Sequence, residues 1–376
     1  MRQLATIQRV TNVQPIPNAD AIEVCNIQGW ECVIKKNEYK EGDLVVYIEI
    51  DSIVPAMNPY FDFMQERRYR VRTIKLRKQI SQGLVCPLSI LEFSLKNQIL
   101  EKVIKGNKCL DDLKEGDDVT ELLGVTKYDP QMQQEQELSI VKHNKFAKYF
   151  MRYRWFRWFI KRERYPWPSF IVHTDETRIQ NIPRICDKYQ GVCFTATEKL
   201  DGTSATYFLK RNKKRLFRKL SFEFGVCSRN LRLLRNKTGK NYYWEMVEKY
   251  NIETVLKQII GNHQHVVLQG EIIGEGIQKN KYKIKGQEFY AFNLYIDGKK
   301  YDIHSFLPSF SLVPVVYDNL LLPELGIFEM IKLSRGRSVL YNRQREGIVV
   351  RNYELGVSFK VIDPIFLLDN QDEDEK

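Results

Sequence analysis

Glu198-Lys199-Leu200-Asp201-Gly202-Thr203 closes a strand-like run, Val192–Glu198, on an Asp-Gly turn pair. If the chain stays extended through it, Lys199 and Asp201 share one face, because strand side chains alternate with period two. That sets an amine beside a carboxylate at the mouth of a sheet. A deprotonated amine attacks phosphorus, and a carboxylate holds Mg²⁺. In isolation, K-x-D-G is also what a surface hairpin looks like.

Three further stretches follow in order. Leu268–Gly274 (LQGEIIG) carries one acid, Glu271, inside an apolar strand between glycines. An acid there needs a partner, since burying an unpaired charge is expensive. Glu346–Arg351 (EGIVVR) begins an apolar strand with an acid, and Ser358–Ile362 (SFKVI) holds one lysine, Lys360, in an apolar run. A salt-bridged strand end explains each alone; a nucleophile with acids and a second cation explains all four together.

Outward from these motifs, residues 169–368 read as a mixed unit. Strand patterns run over Ala205–Lys210, Val266–Ile273 and Phe289–Ile296, and helical patterns over Tyr242–Tyr250 and Ile252–Ile260. Asn251 is placed to cap the second helix and Gly261 to stop it. Residues 1–125 read as mostly β: Ala21–Asn26, Asp43–Ile50, Arg67–Lys78 and Gly83–Pro87, at the spacing of a small barrel. The expected fold class is α+β: an OB-like barrel at 1–125, a basic aromatic linker at 126–168, a catalytic-sized unit at 169–368, and a disordered acidic tail at 369–376.

The formal net charge is +12 over 376 residues, with pI about 9.2, which favours an anionic partner such as nucleic acid. Within Tyr69–Lys78, Arg70 and Arg72 share one parity and Lys75 and Arg77 the other, so a bend is expected near Thr73. This stretch is the expected phosphate track; a charge-guarded edge strand is the alternative. Lys142–Arg164 carries nine Lys or Arg against one acid, with aromatics at helical spacing. It reads as an interdomain helix, a nucleic-acid clamp or a membrane-surface helix. Seven scattered cysteines with no C-x-x-C pair point to an intracellular, reducing compartment (cytoplasm or nucleus), without a disulfide framework or zinc site. No signal peptide or membrane span is expected. The five histidines show no metal spacing and read as structural.

Taken in order, the motifs resemble the covalent nucleotidyltransferases, the superfamily of ligases and capping enzymes. Lys199–Gly202 looks like motif I, Ser228-Arg229-Asn230 like motif Ia and Glu271 like motif III. Phe292 looks like motif IIIa, Glu346-Gly347 like motif IV and Lys360 like motif V. Pro17–Asp20, Ile80–Leu84, Thr174–Glu176 with Arg178–Asn181, Gly276–Gln278 with Asn280 and Tyr282, and Arg345–Arg351 are closer to Deinococcus-type RNA ligases, which place an OB domain before an ATP-grasp-like nucleotidyltransferase (adenylyltransferase) domain.

The resemblance implies an ATP-dependent RNA ligase that seals 3′-OH and 5′-phosphate ends at nicks, through AMP on Lys199. It implies Mg²⁺ or Mn²⁺ held by Asp201, Glu271 and Glu346. Glu198, Arg229, Glu271, Phe292, Glu346 and Lys360 would bind the nucleotide, and Lys360 would neutralise the α-phosphate. Arg70, Arg72, Lys75 and Arg77 would bind RNA or an RNA-containing nicked duplex. A monomer with no obligate protein partner is expected. A capping guanylyltransferase, a DNA ligase and a non-catalytic RNA-binding OB protein are the alternatives. The first two are disfavoured because the chain ends shortly after Lys360. Ser358 stands where many ligases have a first motif V lysine.

Overall fold

The computed structural model describes residues 3–96, 113–128, 167–212, 221–235 and 241–369. Most of the linker reading, all of Lys142–Arg164 and nearly all of the acidic tail lie outside these residues.

The first domain is built on β1 (Ala5–Pro15), β2 (Ile22–Ile27), β3 (Trp30–Lys35), β4 (Leu44–Ile48) and β9 (Leu84–Cys86), in the order β3-β2-β1-β4-β9. Long β1 serves two partners. Its first half pairs with β4, and its second half pairs with β2 across an irregularity between Val10 and Asn12. Such a bulge bends a strand, and here it curls the sheet towards a barrel. Ile7, Val46, Ile48 and Phe61 fill one apolar layer, and Val10, Ile27, Trp30 and Tyr47 a second. A small sheet joins β5 (Ser52–Ile53), β6 (Arg70–Val71) and β10 (Thr126–Lys127), and β7 (Thr73–Leu76) forms a hairpin with β8 (Gln79–Gln82). The bend expected near Thr73 is the break between β6 and β7. The continuous extended segment expected over Arg67–Lys78 is interrupted: Arg68 and Tyr69 are left-handed, as are Arg77 and Lys78 at the hairpin tip.

The second domain has two antiparallel sheets. One runs β18 (Val315–Leu321), β11 (Cys193–Lys199), β19 (Gly347–Asn352), β20 (Val357–Ile362). The other begins with β14 (Arg232–Leu233), β13 (Phe222–Cys227) and β12 (Thr203–Arg211). It continues through β15 (His265–Gly274), β16 (Gln287–Ile296) and β17 (Lys299–Tyr301). Helices Tyr242–Lys249 and Ile252–Ile260 pack on this second sheet through Tyr243, Met246, Leu256 and Ile260. Asn241 caps the first, its side chain accepting from the Tyr243 amide at 3.0 Å. Asn251 makes no side-chain cap; its left-handed backbone instead turns the chain between the helices, and Gly261 ends the second.

The domains meet through polar contacts. Trp30 Nε1 donates to Asn181 Oδ1 at 2.7 Å, and the Gly29 amide donates to the Gln180 carbonyl at 3.0 Å. Asn181 also donates to Glu49. Among the described residues no helix is long and apolar enough to cross a membrane. The described cysteines are free thiols, buried except Cys193.

Candidate active site

Strand register assembles the site from distant sequence. Lys199 pairs with Gly347 across β11 and β19, which brings its side chain to the preceding residue, Glu346. Ser204 pairs with Glu271 across β12 and β15, and Val349 with Lys360 across β19 and β20. Between β15 and β16, Gln269 faces Asn293 but Gly270 faces Ala291, so Phe292 is the extra residue of a bulge. The bulge re-aims its ring into the cleft.

The result is a cavity of about 300 Å³ lined by Glu198, Lys199, Asp201, Arg229, Glu271, Phe292, Glu346 and Lys360. Every nucleotide and metal residue expected from the sequence is in that wall. Lys199 ends β11, and Asp201 lies in the bend beyond it rather than on the strand itself. The Asp201 amide donates to Tyr282 Oη at 3.0 Å, which fixes that bend. Gly202 is required by proximity: a Cβ there would meet the Ile272 carbonyl and lie 2.6 Å from Ile273 Cγ2. Gly347 is similarly pressed against the Val361 carbonyl.

Lys199 Nζ lies 2.6 Å from Glu346 Oε2, with the lysine side chain 24% exposed and the glutamate 11%. Burial would lower the Lys199 pKa, but the carboxylates of Glu346, Glu271 and Asp201 outweigh it and raise it. Crowding acts on the acids too. Burial raises Glu271 from 4.5 to about 7, with Glu346 adding and Lys199 and Arg229 opposing; Ser204 Oγ also donates to it at 3.2 Å. Burial and Glu346 raise Asp201 to about 6 against Lys199. Glu198 is buried and its carboxyl is raised by burial; one oxygen accepts from the Val339 amide at 2.8 Å, so it also braces the 338–346 loop.

Glu198, Asp201, Glu271 and Glu346 therefore share the cleft with Lys199 and Lys360. Among the described residues, no three His, Cys, Asp or Glu side chains stand together as a ready metal shell. The expected trio of Asp201, Glu271 and Glu346 is brought to one cavity but not drawn into a direct three-ligand cluster. Glu346 is instead turned to Lys199.

The nucleic-acid residues divide. Arg70 lines the same cavity, with its guanidinium 3.6 Å above the Tyr128 ring and 3.6 Å from Asp51. Arg72 is half-buried, and Lys75 and Arg77 are exposed on the β7–β8 hairpin; none of these three lines the cavity.

Several lining residues received no role from sequence. Arg178, only 6% exposed, reaches Asp51 at 2.9 Å. Lys127 Nζ lies 3.0 Å from Asp175 Oδ2, and Arg229 bonds the other Asp175 oxygen. Burial would raise the Asp175 pKa, yet Arg229, Lys127 and Lys360 together hold its carboxyl well below the usual range. Arg351 donates to Thr197 Oγ1 at 2.6 Å and lies 5.9 Å from the Phe292 ring. Ser358 Oγ donates to Glu176 Oε2 at 2.6 Å, while Lys300 and Arg351 stand 3.8 Å from its other oxygen. These pairs span long stretches of chain. The motif-like stretches Thr174–Asn181, Ser228–Asn230 and Glu346–Arg351 marked several of them in advance, but not their pairing.

Comparison with known proteins agrees with both halves. A family described as an OB-fold domain matches residues 4–88, and one described as RNA ligase matches residues 193–362. No curated protein matches the chain. Among solved structures, Naegleria gruberi RNA ligase with PPi superposes with a TM-score of 0.76 at 31% identity, covering 99% of this chain and 100% of that one. A variant of the same enzyme with ATP and Mn gives 0.73 at 31%, covering 99% and 98%. Another with AMP and Mn gives 0.75 at 32%, covering 97% and 98%. With full-length similarity added to an OB-like barrel and a lysine–carboxylate cleft, the chain belongs to the RNA ligase family that joins an N-terminal OB-fold domain to a nucleotidyltransferase domain.

Proposed function

We propose that the chain is an ATP-dependent RNA ligase that seals 3′-OH/5′-phosphate breaks, at nicks in duplex, through AMP carried on Lys199. The observation that carries this is the Lys199 amine beside Glu346, in one cleft with Asp201, Glu271, Phe292 and Lys360. The relatives bound to ATP or AMP with Mn, and to PPi, support the cofactor reading.

In the first step the Lys199 amine attacks the ATP α-phosphorus; an N–P bond forms and the bond to pyrophosphate breaks. AMP then passes to the 5′-phosphate, and the 3′-hydroxyl displaces it. Phe292 offers a face for the adenine, and Arg229 and Glu271 reach for the ribose. Lys360 is a fixed positive charge for the α-phosphate as negative charge builds there. A free lysine has a pKa near ~10.4, so few amines are unprotonated at neutral pH. The surrounding acids hold Lys199 still more firmly as ammonium before ATP arrives.

The chemistry of the donor set fits a divalent cation. Burial raises Asp201 and Glu271 to about 6 and 7, with the Glu346 charge adding to both against Lys199. Asp201, Glu271 and Glu346 would hold the ion, partly through water, as Mg²⁺ dehydrates reluctantly. Bound there, it supplies positive charge that offsets the phosphates and disfavours the ammonium form of the lysine.

The Deinococcus-type motif text supports nick sealing as the specific task, and the free thiols support a reducing, intracellular setting. Arg70, Arg72, Lys75 and Arg77 provide the track for RNA, with the OB domain as its platform. Lys199→Ala should abolish labelling of the protein by α-labelled ATP and retain binding to nicked RNA. Labelling of that variant at the wild-type level refutes the nucleophile, and labelling by GTP but not ATP refutes the ligase.

A further inference from the structure

We propose that the loop 336–344 is a second nucleic-acid surface, which takes backbone phosphates of the duplex on Arg337 and Arg343, outside the cavity that holds Lys199. The inference rests on the RNA ligase reading above and adds to it a surface on the nucleotidyltransferase domain.

Charge in this stretch is one-sided. From Met330 to Arg345 the chain carries Lys332, Arg335, Arg337, Arg343 and Arg345 and no Asp or Glu. Two of the arginines have structural work. Arg345 is 5% exposed and donates to the carbonyls of Leu333, Ser334 and Arg335, closing the end of the helix Ile327–Ser334. Arg335 lies 3.3 Å from the buried Asp363, which also accepts from Gln344 at 2.7 Å, so one acid ties the two ends of the loop. Arg337 and Arg343, by contrast, are exposed. Among the described residues Arg337 bonds the neutral Asn342 at 2.7 Å, and neither it nor Arg343 is paired with an acid.

The loop keeps its shape through other groups. The Ser338 amide donates to the Arg343 carbonyl at 2.7 Å, and the Ser338 hydroxyl accepts from the Leu340 and Tyr341 amides at 3.2 Å. Leu340 and Tyr341 pack in the same apolar cluster as Phe292. What remains on the outside is an open cleft of about 460 Å³ lined by Gly336, Arg337, Asn342, Arg343 and Gln344. It offers two cations, two amides and no carboxylate. Guanidinium donors in a fixed fork match phosphate oxygens.

Position favours a nucleic-acid strand over a free nucleotide. The cleft shares no lining residue with the cavity around Lys199. Yet Arg343 stands three residues before Glu346, within roughly 10 Å along the chain, and Glu346 faces Lys199. On the other side, the helix Pro364–Asp369 leads away from Asp363 and packs on β7 of the OB domain, which carries the exposed Lys75. One helix roughly 9 Å long thus separates the arginine loop from the hairpin, close enough for one duplex to touch both.

The test is the salt dependence of nicked RNA duplex binding to the full-length protein. Replacing Arg337 and Arg343 together by alanine should lower the log–log slope by about 1.8, ~0.9 for each phosphate released, and weaken binding on the order of tenfold at moderate salt. Lysine at both positions keeps the charge and should keep the slope. An unchanged slope in the alanine variant assigns the loop to some other partner and overturns the proposal; so does a slope lost equally in the lysine variant. Lysyl-AMP formation from ATP without RNA is the second readout. It should match wild type in both variants, and a slower rate in the alanine variant would place the arginines with the nucleotide and overturn the proposal. A wild-type protein that forms no lysyl-AMP but keeps the arginine-dependent slope would instead sink the ligase reading and leave this surface standing.

Discussion

Glu271→Gln should stabilise the protein in the absence of nucleotide and metal while ending its adenylylation. Burial raises the Glu271 carboxyl from 4.5 to about 7 despite Lys199, Arg229 and the Ser204 hydroxyl. At ~1.4 kcal/mol per pH unit, ionising it in the folded state costs at most about 3.5 kcal/mol; screening by the solvent-open cleft leaves roughly 1–2 kcal/mol. The sign follows from linkage. The folded pKa lies above the unfolded one, so the cost is absent below about 4.5, grows as pH rises towards 7, and is complete above it. Glutamine is never charged and can still accept from Ser204 Oγ. Urea unfolding with a chelator present should therefore show the variant more stable at pH 8, with the gain shrinking by pH 5. The same preparations should yield no labelled adduct with ATP. A variant no more stable than wild type at pH 8, or equally favoured at both pH values, would refute the view that these acids are crowded at the expense of stability.

Gly202→Ala should cost about 2–3 kcal/mol and most of the adduct yield, because a Cβ has no room against β15; unfolding and labelling measure the two. Trp30→Phe removes the 2.7 Å hydrogen bond to Asn181 and should cost about 1–2 kcal/mol, seen as a lower Tm. Replacing Arg72 and Lys75 by alanine should reduce the salt dependence of binding to a nicked duplex by about 0.9 in log–log slope for each phosphate those side chains neutralise; an unchanged slope removes them from the track.

Much of the fold and the site was legible in sequence, for a definite reason. Motif residues such as Glu271 and Lys360 interrupt apolar strands, and a charge in such a run announces itself in one dimension. The strands around them alternate or run apolar, so β11, β15, β19 and β20 were marked within a residue or two. The site residues that escaped notice have partners far along the chain. Nothing local in Asp51 or Lys127 predicts Arg178 or Asp175; register and domain packing bring them together. Strand β1 carries no turn-bounded alternation, since it changes partners midway and its outward face changes with it. The Arg67–Lys78 stretch shows the opposite failure. Its charges and β-branched residues imply one strand, but Arg68 and Tyr69 turn left-handed, and Tyr69 packs against the barrel core instead.

Ser358 bears on how such a site tolerates the absence of a motif lysine. A lysine at that position would approach Glu176, whose carboxylate already faces Lys300 and Arg351 at 3.8 Å and takes the Ser358 hydroxyl at 2.6 Å. Burial and the Arg351 charge have already pushed Lys300 down to about 8, so the wall is near its limit of positive charge. A third cation there would meet repulsion and desolvation together, whereas a hydroxyl satisfies the carboxylate oxygen without adding charge. Lys300 comes from β17, at the edge of the other sheet. Neither Ser358 nor Lys300 lines the cavity, whereas Lys360 and Arg351 do. The serine therefore leaves Lys360 as the lysine that β20 brings to the cleft, and its own work is to hold Glu176, which in turn faces the guanidinium of Arg351 beside Phe292.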